Sequence, residues 1–238
     1  MRRAAVVIAA LAALASGCGG GGLRGDLAAT GGNMGKIRAG VIDFSLLVTP
    51  RANKAHDPFG WKLKGPFSFG DVPTERVTYT QIANGHTARD TLVLDKSGGY
   101  AVVDGKRRSL ADSNLKELRG SAARVRAGAS IDIGNWIKTA SSCGARCAQG
   151  DLDVAAAANT LLQVSGSKRT LTDAEAKQLA DATRAATYRA EWTGKHLMRS
   201  LQLHVDLGFK SPPKLAAALG RLVGATLDLH LGMQRPQT

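Results

Sequence analysis

Residues 41–49, VIDFSLLVT, alternate: Ile42, Phe44, Leu46 and Val48 fall on one face, Asp43, Ser45 and Thr49 on the other. A period of two marks a strand with one buried face. Strand-like runs follow at 61–69, 76–83, 87–95 and 99–109, with turn signals at Asp71-Val72-Pro73, Asn84-Gly85 and Lys96-Ser97-Gly98-Gly99 between them. Asn84-Gly85 predicts a two-residue hairpin, and Asp104-Gly105 a second tight turn inside 99–109.

The period then changes. Residues 111–126 place Leu115, Leu118, Ala122 and Val125 at helical spacing behind Asp112 as a cap. Either Asp151 or Asp153 caps a helix over VAAAANTLLQ, and Thr172 with Glu175 has the form of a capping box ahead of a helix reaching to about Ala186. Alternation returns at 187–193, 197–209 and 223–234. In the second of these Leu201, Leu203, Val205 and Leu207 oppose Gln202, His204 and Asp206; in the third Leu227, Leu229, Leu231 and Met233 oppose Asp228, His230 and Gln234. Pro212-Pro213 opens a short helical stretch between them. Strands, then helices, then strands predict one antiparallel sheet with helices gathered on one face, an α+β fold. Strands apolar on one side leave the other sheet face wet.

The N-terminus fits no element. Arg2 and Arg3 precede an unbroken apolar run from Ala4 to Ala15, the layout of a secretory signal and too short to span a bilayer. LASGCGGGG follows at 14–22. Cys18 is either an incidental thiol near the cleavage point or, because Ala15-Ser16-Gly17-Cys18 resembles a bacterial lipobox, the residue that is acylated. The second reading explains the glycines as a flexible tether, and multiple acyl chains as the anchor. The expected division is a signal over 1–17, a lipidated cysteine and Gly-rich tether over 18–33, and a single domain over 34–238.

Charge adds a partner class. Net charge is +13, and removing Arg2 and Arg3 with the signal leaves +11. Nucleic acid is not expected outside the cell, and few aromatic residues accompany the basic ones. Anionic lipid head groups or cell-wall polymer suit an exported basic protein; a merely solvated basic surface is the other reading. Cys143 and Cys147, in SSCGARC, are expected to form a disulfide in an oxidising compartment.

Candidate chemistry is sparse. His204, Asp206, Asp228 and His230 form the one clustered ionisable pattern, and pairing centred near residue 217 would set His204 opposite His230. Two His and two Asp could hold a divalent ion; equally, they are what a solvated sheet face carries. No metal site or cofactor is assigned, and no catalytic motif is present, so no enzymatic activity is expected. Trp61, Trp136 and Trp192 read as core or cavity lining.

With this order of elements the chain resembles the actinobacterial LppX/LprG-like lipoproteins and, more distantly, the LolA/LolB lipoprotein carriers. The resemblance lies in the lipobox, in VIDFSLLV after Met34-Gly-Lys-Ile-Arg, in YAVVDGKRRSLAD, in SIDIGNWIKTA with GDLDVAAAANTLLQ as a helical middle section, and in the long final strands. It implies a bent, unclosed antiparallel half-barrel with helices covering the concave face, and between them an apolar cavity for acyl chains. The cavity would be walled by Ile42, Phe44, Leu46, Leu201, Leu203, Leu227 and Leu229 from the sheet and by Leu115, Leu118 and Leu161 from the helices. The alanines at 155–158 would leave it room.

The expected protein is therefore a monomeric lipoprotein on the extracytoplasmic face of the cell membrane, held by acylated Cys18 and carrying a lipid or lipoglycan. The alternative is a non-enzymatic envelope module that binds anionic polymer or lipid through a basic face. Cys18→Ala should abolish radiolabelled palmitate incorporation and leave a full-length or slowly processed form; label that survives the substitution would show the lipobox reading to be wrong.

Overall fold

The computed structural model describes residues 21–52, 57–68, 74–113, 115, 116, 119, 133–164, 170–208 and 222–238. Eleven strands form one antiparallel sheet: β1 (Ala39–Ala52), β2 (Phe59–Ser68), β3 (Thr74–Ala83), β4 (His86–Leu94), β5 (Gly99–Val103), β6 (Lys106–Ser109), β7 (Ser141–Gly144), β8 (Cys147–Asp151), β9 (Thr183–Trp192), β10 (Met198–Gly208) and β11 (Leu222–Gln237). Their order is β6-β5-β4-β3-β2-β1-β11-β10-β9-β8-β7, so the sheet is unclosed. Two sequential meanders, β1 to β6 and β7 to β11, meet where β1 pairs with β11. Among the described residues three helices complete the α+β fold: α1 (Gly21–Asn33), α2 (Val154–Val164) and α3 (Asp173–Ala182).

Local chemistry explains most boundaries. Asn84 and Gly85 have φ of 52° and 71°, and Asp104 and Gly105 have 50° and 72°, the left-handed pair that a two-residue hairpin of matching twist needs. Asp153, rather than Asp151, caps α2, its carboxylate accepting the Ala156 N–H at 3.0 Å. Thr172 and Glu175 form the full capping box of α3. That helix stops at Ala182, not near Ala186, because Ala186 enters the core as a strand residue opposite Val205. The predicted helix over 111–126 falls largely outside the described residues.

Two segments differ from expectation. The stretch 18–33, read as a tether, is helical from Gly21 and docked. Its sequence has no apolar stripe; tertiary contacts hold it instead. Leu27 and Thr30 are fully buried, Arg24 donates to the carbonyls of Ile137 and Lys138 at 3.2 and 2.7 Å, and Asn33 donates to those of Lys195 and His196. The middle section is likewise not all helix. A short 3₁₀ turn over Ile133–Trp136 leads into the β7–β8 hairpin, which the Cys143–Cys147 disulfide closes.

The core lies between α1, the 3₁₀ turn, α2 and the inner face of β8 to β11. Leu27, Trp136 and Ala157 pack there against Ala190, Leu201, Leu203 and Val205. Trp136 satisfies its indole N–H on the Thr160 hydroxyl at 2.9 Å. Removing the Leu27 side chain should cost about 2–5 kcal/mol, the usual penalty for a fully buried leucine. Leu27→Ala should also raise amide exchange through 21–33; unchanged exchange and melting temperature would mean α1 is not docked as described.

Candidate functional site

Register sorts every strand residue onto one of two faces. Ile42, Phe44, Leu46 and Val48 of β1 stand opposite Met233, Leu231, Leu229 and Leu227 of β11. The same row pattern continues to Leu201, Leu203 and Val205 of β10 on one side, and to Leu63, Trp61 and Phe59 of β2 on the other. Tyr79 of β3 follows, opposite Leu63. This is the inner face, the one the helices cover. The seven sheet residues expected to wall a cavity (Ile42, Phe44, Leu46, Leu201, Leu203, Leu227 and Leu229) do share it.

They do not share one environment. Leu201 and Leu203 sit in the filled core beneath α1 and α2, at 4% and 5% exposure, and Ala157 of α2 fills the space that alanines were expected to leave open. Ile42, Phe44, Leu46, Leu227 and Leu229 are half-buried. Beyond them the face opens: Trp61 is 38% and Phe59 45% exposed. Phe44 packs on Trp61 with ring centroids 4.6 Å apart, and Trp61 on Tyr79 at 6.5 Å, an aromatic ladder across three strands. Leu115 lies apart from these, near Gly99 at β5. Leu118, and the side chain of Leu161 in α2, fall outside the described residues. Trp61 was a cavity candidate by residue type only; its parity with Leu63 on a strand next to β1 is the signal that places it here.

Toward β4 to β6 the inner face is mixed. Gln81 and Asp90 flank the aromatic ladder, Leu92, Leu94, Ala101 and Val103 share the same face, and Lys106 and Arg108 stand on it at the β6 edge. Glu75, also inner, is raised above the usual carboxylate range by burial. An apolar floor with a polar margin is the surface that an amphipathic ligand would match.

The outer face holds the His/Asp cluster. All four side chains share it, but in a different register. His204 faces Asp228, with Nδ1 2.6 Å from the carboxylate, while His230 faces Gln202 and Asp206 faces Thr226. Asp206 is taken by Arg51, whose guanidinium bonds it and the Leu207 carbonyl; that pair holds the carboxyl below its ordinary value. Gly224 makes this possible, since a side chain there would strike Arg51 and the Leu207 carbonyl. Among the described residues no three His, Cys, Asp or Glu side chains converge on a metal position. Instead a groove of about 750 Å³ crosses this face, lined by Lys62, Gln202, His204, Asp228 and His230 near its middle and by Gln149, Asp151 and Arg189 toward β8. Tyr188, whose hydroxyl donates to the Thr139 carbonyl at 3.2 Å beneath that end, is raised by burial.

No protein family and no curated protein sequence matches the chain. Among solved structures, the chain is similar to LprF from Mycobacterium bovis, at 11% identity and a TM-score of 0.39 over 90% of this chain and 94% of that one. It is similar also to the Mycobacterium tuberculosis lipoprotein LppX, at 10% identity and a TM-score of 0.40 over 92% of this chain and 99% of that one.

Proposed function

We propose that the protein is an extracytoplasmic lipoprotein, anchored through acylated Cys18, that binds an amphipathic lipid on the open inner face of β1 to β3. The observation that carries this is the exposed apolar pair Phe59 and Trp61, continuous along the inner face with the half-buried Phe44 and Leu46. Contiguous apolar surface left open on a folded chain marks a place where something apolar binds. Each acyl methylene moved from water onto such a surface is worth about 0.8 kcal/mol, so ten of them supply roughly 8 kcal/mol, micromolar affinity before ordering costs. The polar margin at Gln81 and Asp90 favours a ligand with a head group over a plain hydrocarbon. In this reading the protein is a carrier and not a catalyst, acting as a monomer.

In this reading the anchor lies close to the domain, because α1 is docked. Only residues 19 and 20 separate Cys18 from the first residue of α1. At no more than ~3.6 Å per residue, the folded part begins within about 11 Å of the acylated cysteine. No described helix is long and apolar enough to cross a membrane.

Trp61 provides the test. Trp136 and Trp192 are 1% and 4% exposed, so a quencher in the binding site should reach Trp61 alone. Brominated fatty acid should quench the protein's tryptophan emission saturably, and Trp61→Phe should remove most of that quenching. Trp61→Asp should weaken binding at least tenfold by placing a carboxylate on the apolar floor. Undiminished quenching in Trp61→Phe, or none in the parent, would refute lipid binding at this face.

A further inference from the structure

The outer face of β2 to β6 carries a charge distribution unlike the rest of the sheet. Register places Lys62, Thr80 and Arg89 in one row, and Lys64, Thr78, Thr91, Val102 and Arg107 in the next. Arg76 begins a third row that runs through Val93 and Tyr100. Along these five strands, five outward positions are cationic (Lys62, Lys64, Arg76, Arg89, Arg107) and none is a carboxylate. The acidic residues Glu75 and Asp90 of the same strands fall on the inner face. Asp95 and Asp104 lie at the rim, in turns.

The other half of the outer face is different. There carboxylates stand among the cations: Arg51 pairs with Asp206, which Arg184 also approaches, Arg189 with Glu191 at 3.0 Å, and His204 with Asp228. On the β2 to β6 half, among the described residues, Lys64 alone forms such a pair, with Asp43 of β1 at 2.8 Å, and its side chain is still 67% exposed, while Arg107 acts through space on Asp95 at the rim. Arg107 lies 3.7 Å from the centre of the Tyr100 ring, which holds the guanidinium over the sheet surface. Strands about 4.8 Å apart put Lys62 and Arg89 roughly 10 Å from each other, and Lys64 and Arg107 roughly 19 Å. Like charges at such spacing repel, and a bound polyanion removes the repulsion.

We propose that the outer face of β2 to β6 is a docking surface for a linear phosphate-bearing polymer. Guanidinium groups take phosphate oxygens two at a time. Three arginines and two lysines separated by threonine hydroxyls present donors at intervals, as a repeating anion requires. A bilayer surface fits less well. Among the described residues no large exposed apolar side chain projects from this face to enter head groups, since Phe59 and Trp61 point to the other side. Lys62 also lines the groove, so an extended chain crossing the strands has a continuous path into it.

The docking surface lies across the sheet from the lipid floor, so the two are separable. Full-length protein in neutral detergent should bind medium-chain polyphosphate, with affinity falling steeply as salt rises. Arg76→Gln, Arg89→Gln and Arg107→Gln combined should weaken that binding at least tenfold, with quenching of Trp61 by brominated fatty acid unchanged. The same charge removed elsewhere, by Lys138→Gln, Lys195→Gln and Arg199→Gln, should alter polyphosphate binding less than twofold. Equal losses from the two triple variants would show unspecific charge attraction and overturn the proposal. Tighter binding to phosphatidylglycerol vesicles or to single-stranded DNA than to polyphosphate, or no polyphosphate binding, would overturn it as well.

Discussion

The pairing of β1 with β11 holds the molecule together. Among the described residues it is the one ladder between strands that are not consecutive in the chain, running from Ala39 opposite Gln237 to Ala52 opposite Leu222. Every other pairing joins consecutive strands. Closing a loop of this size costs about 4–5 kcal/mol in chain entropy. Side chains along the seam offset that cost: Ile42 with Met233, Phe44 with Leu231, Leu46 with Leu229 and Val48 with Leu227. Lose this ladder and the two meanders have no common sheet, and the apolar inner face divides along its centre.

That seam also separates two fates for one apolar face. On the β8 to β10 side, α1, the 3₁₀ turn and α2 bury it, with Trp136 and Leu27 as the largest filled positions. On the β1 to β3 side the face stays half-open around Trp61. A single continuous face thus supplies both the filled core and the surface proposed to bind lipid, and among the described residues the boundary lies where the docked helices end. His196 and Asp26, 3.0 Å apart, add a polar clasp between α1 and the turn before β10.

The edges need separate management, because an unclosed sheet leaves two. Both edge strands are short, four residues each. β6 is fully exposed and carries Lys106, Arg107 and Arg108 in succession, charge that discourages pairing with another chain. β7 is closed onto β8 by the disulfide. The outer face follows the same division, cationic on the β6 side and of mixed charge on the β7 side.

Alternation by itself determined the strands outside the β7–β8 hairpin and the face each leucine shares with its neighbours, and turn and capping residues determined the hairpins at Asn84-Gly85 and Asp104-Gly105 and the capping box at Thr172. These depend on residues a few positions apart, where steric and hydrogen-bond preferences act within one element. Only the tertiary structure decided the rest. Pairing β10 with β11 two residues away from the expected register leaves every side chain on the same face, so no hydrophobic pattern distinguishes the two; yet it replaces His204 opposite His230 with His204 opposite Asp228. Residues 21–33 have no apolar period and become a helix because Leu27 and Thr30 find a core to enter. Lys62, Arg76, Arg89 and Arg107 sit on four strands, and the parity of each is visible alone, but their common face exists only once register relates one strand to the next.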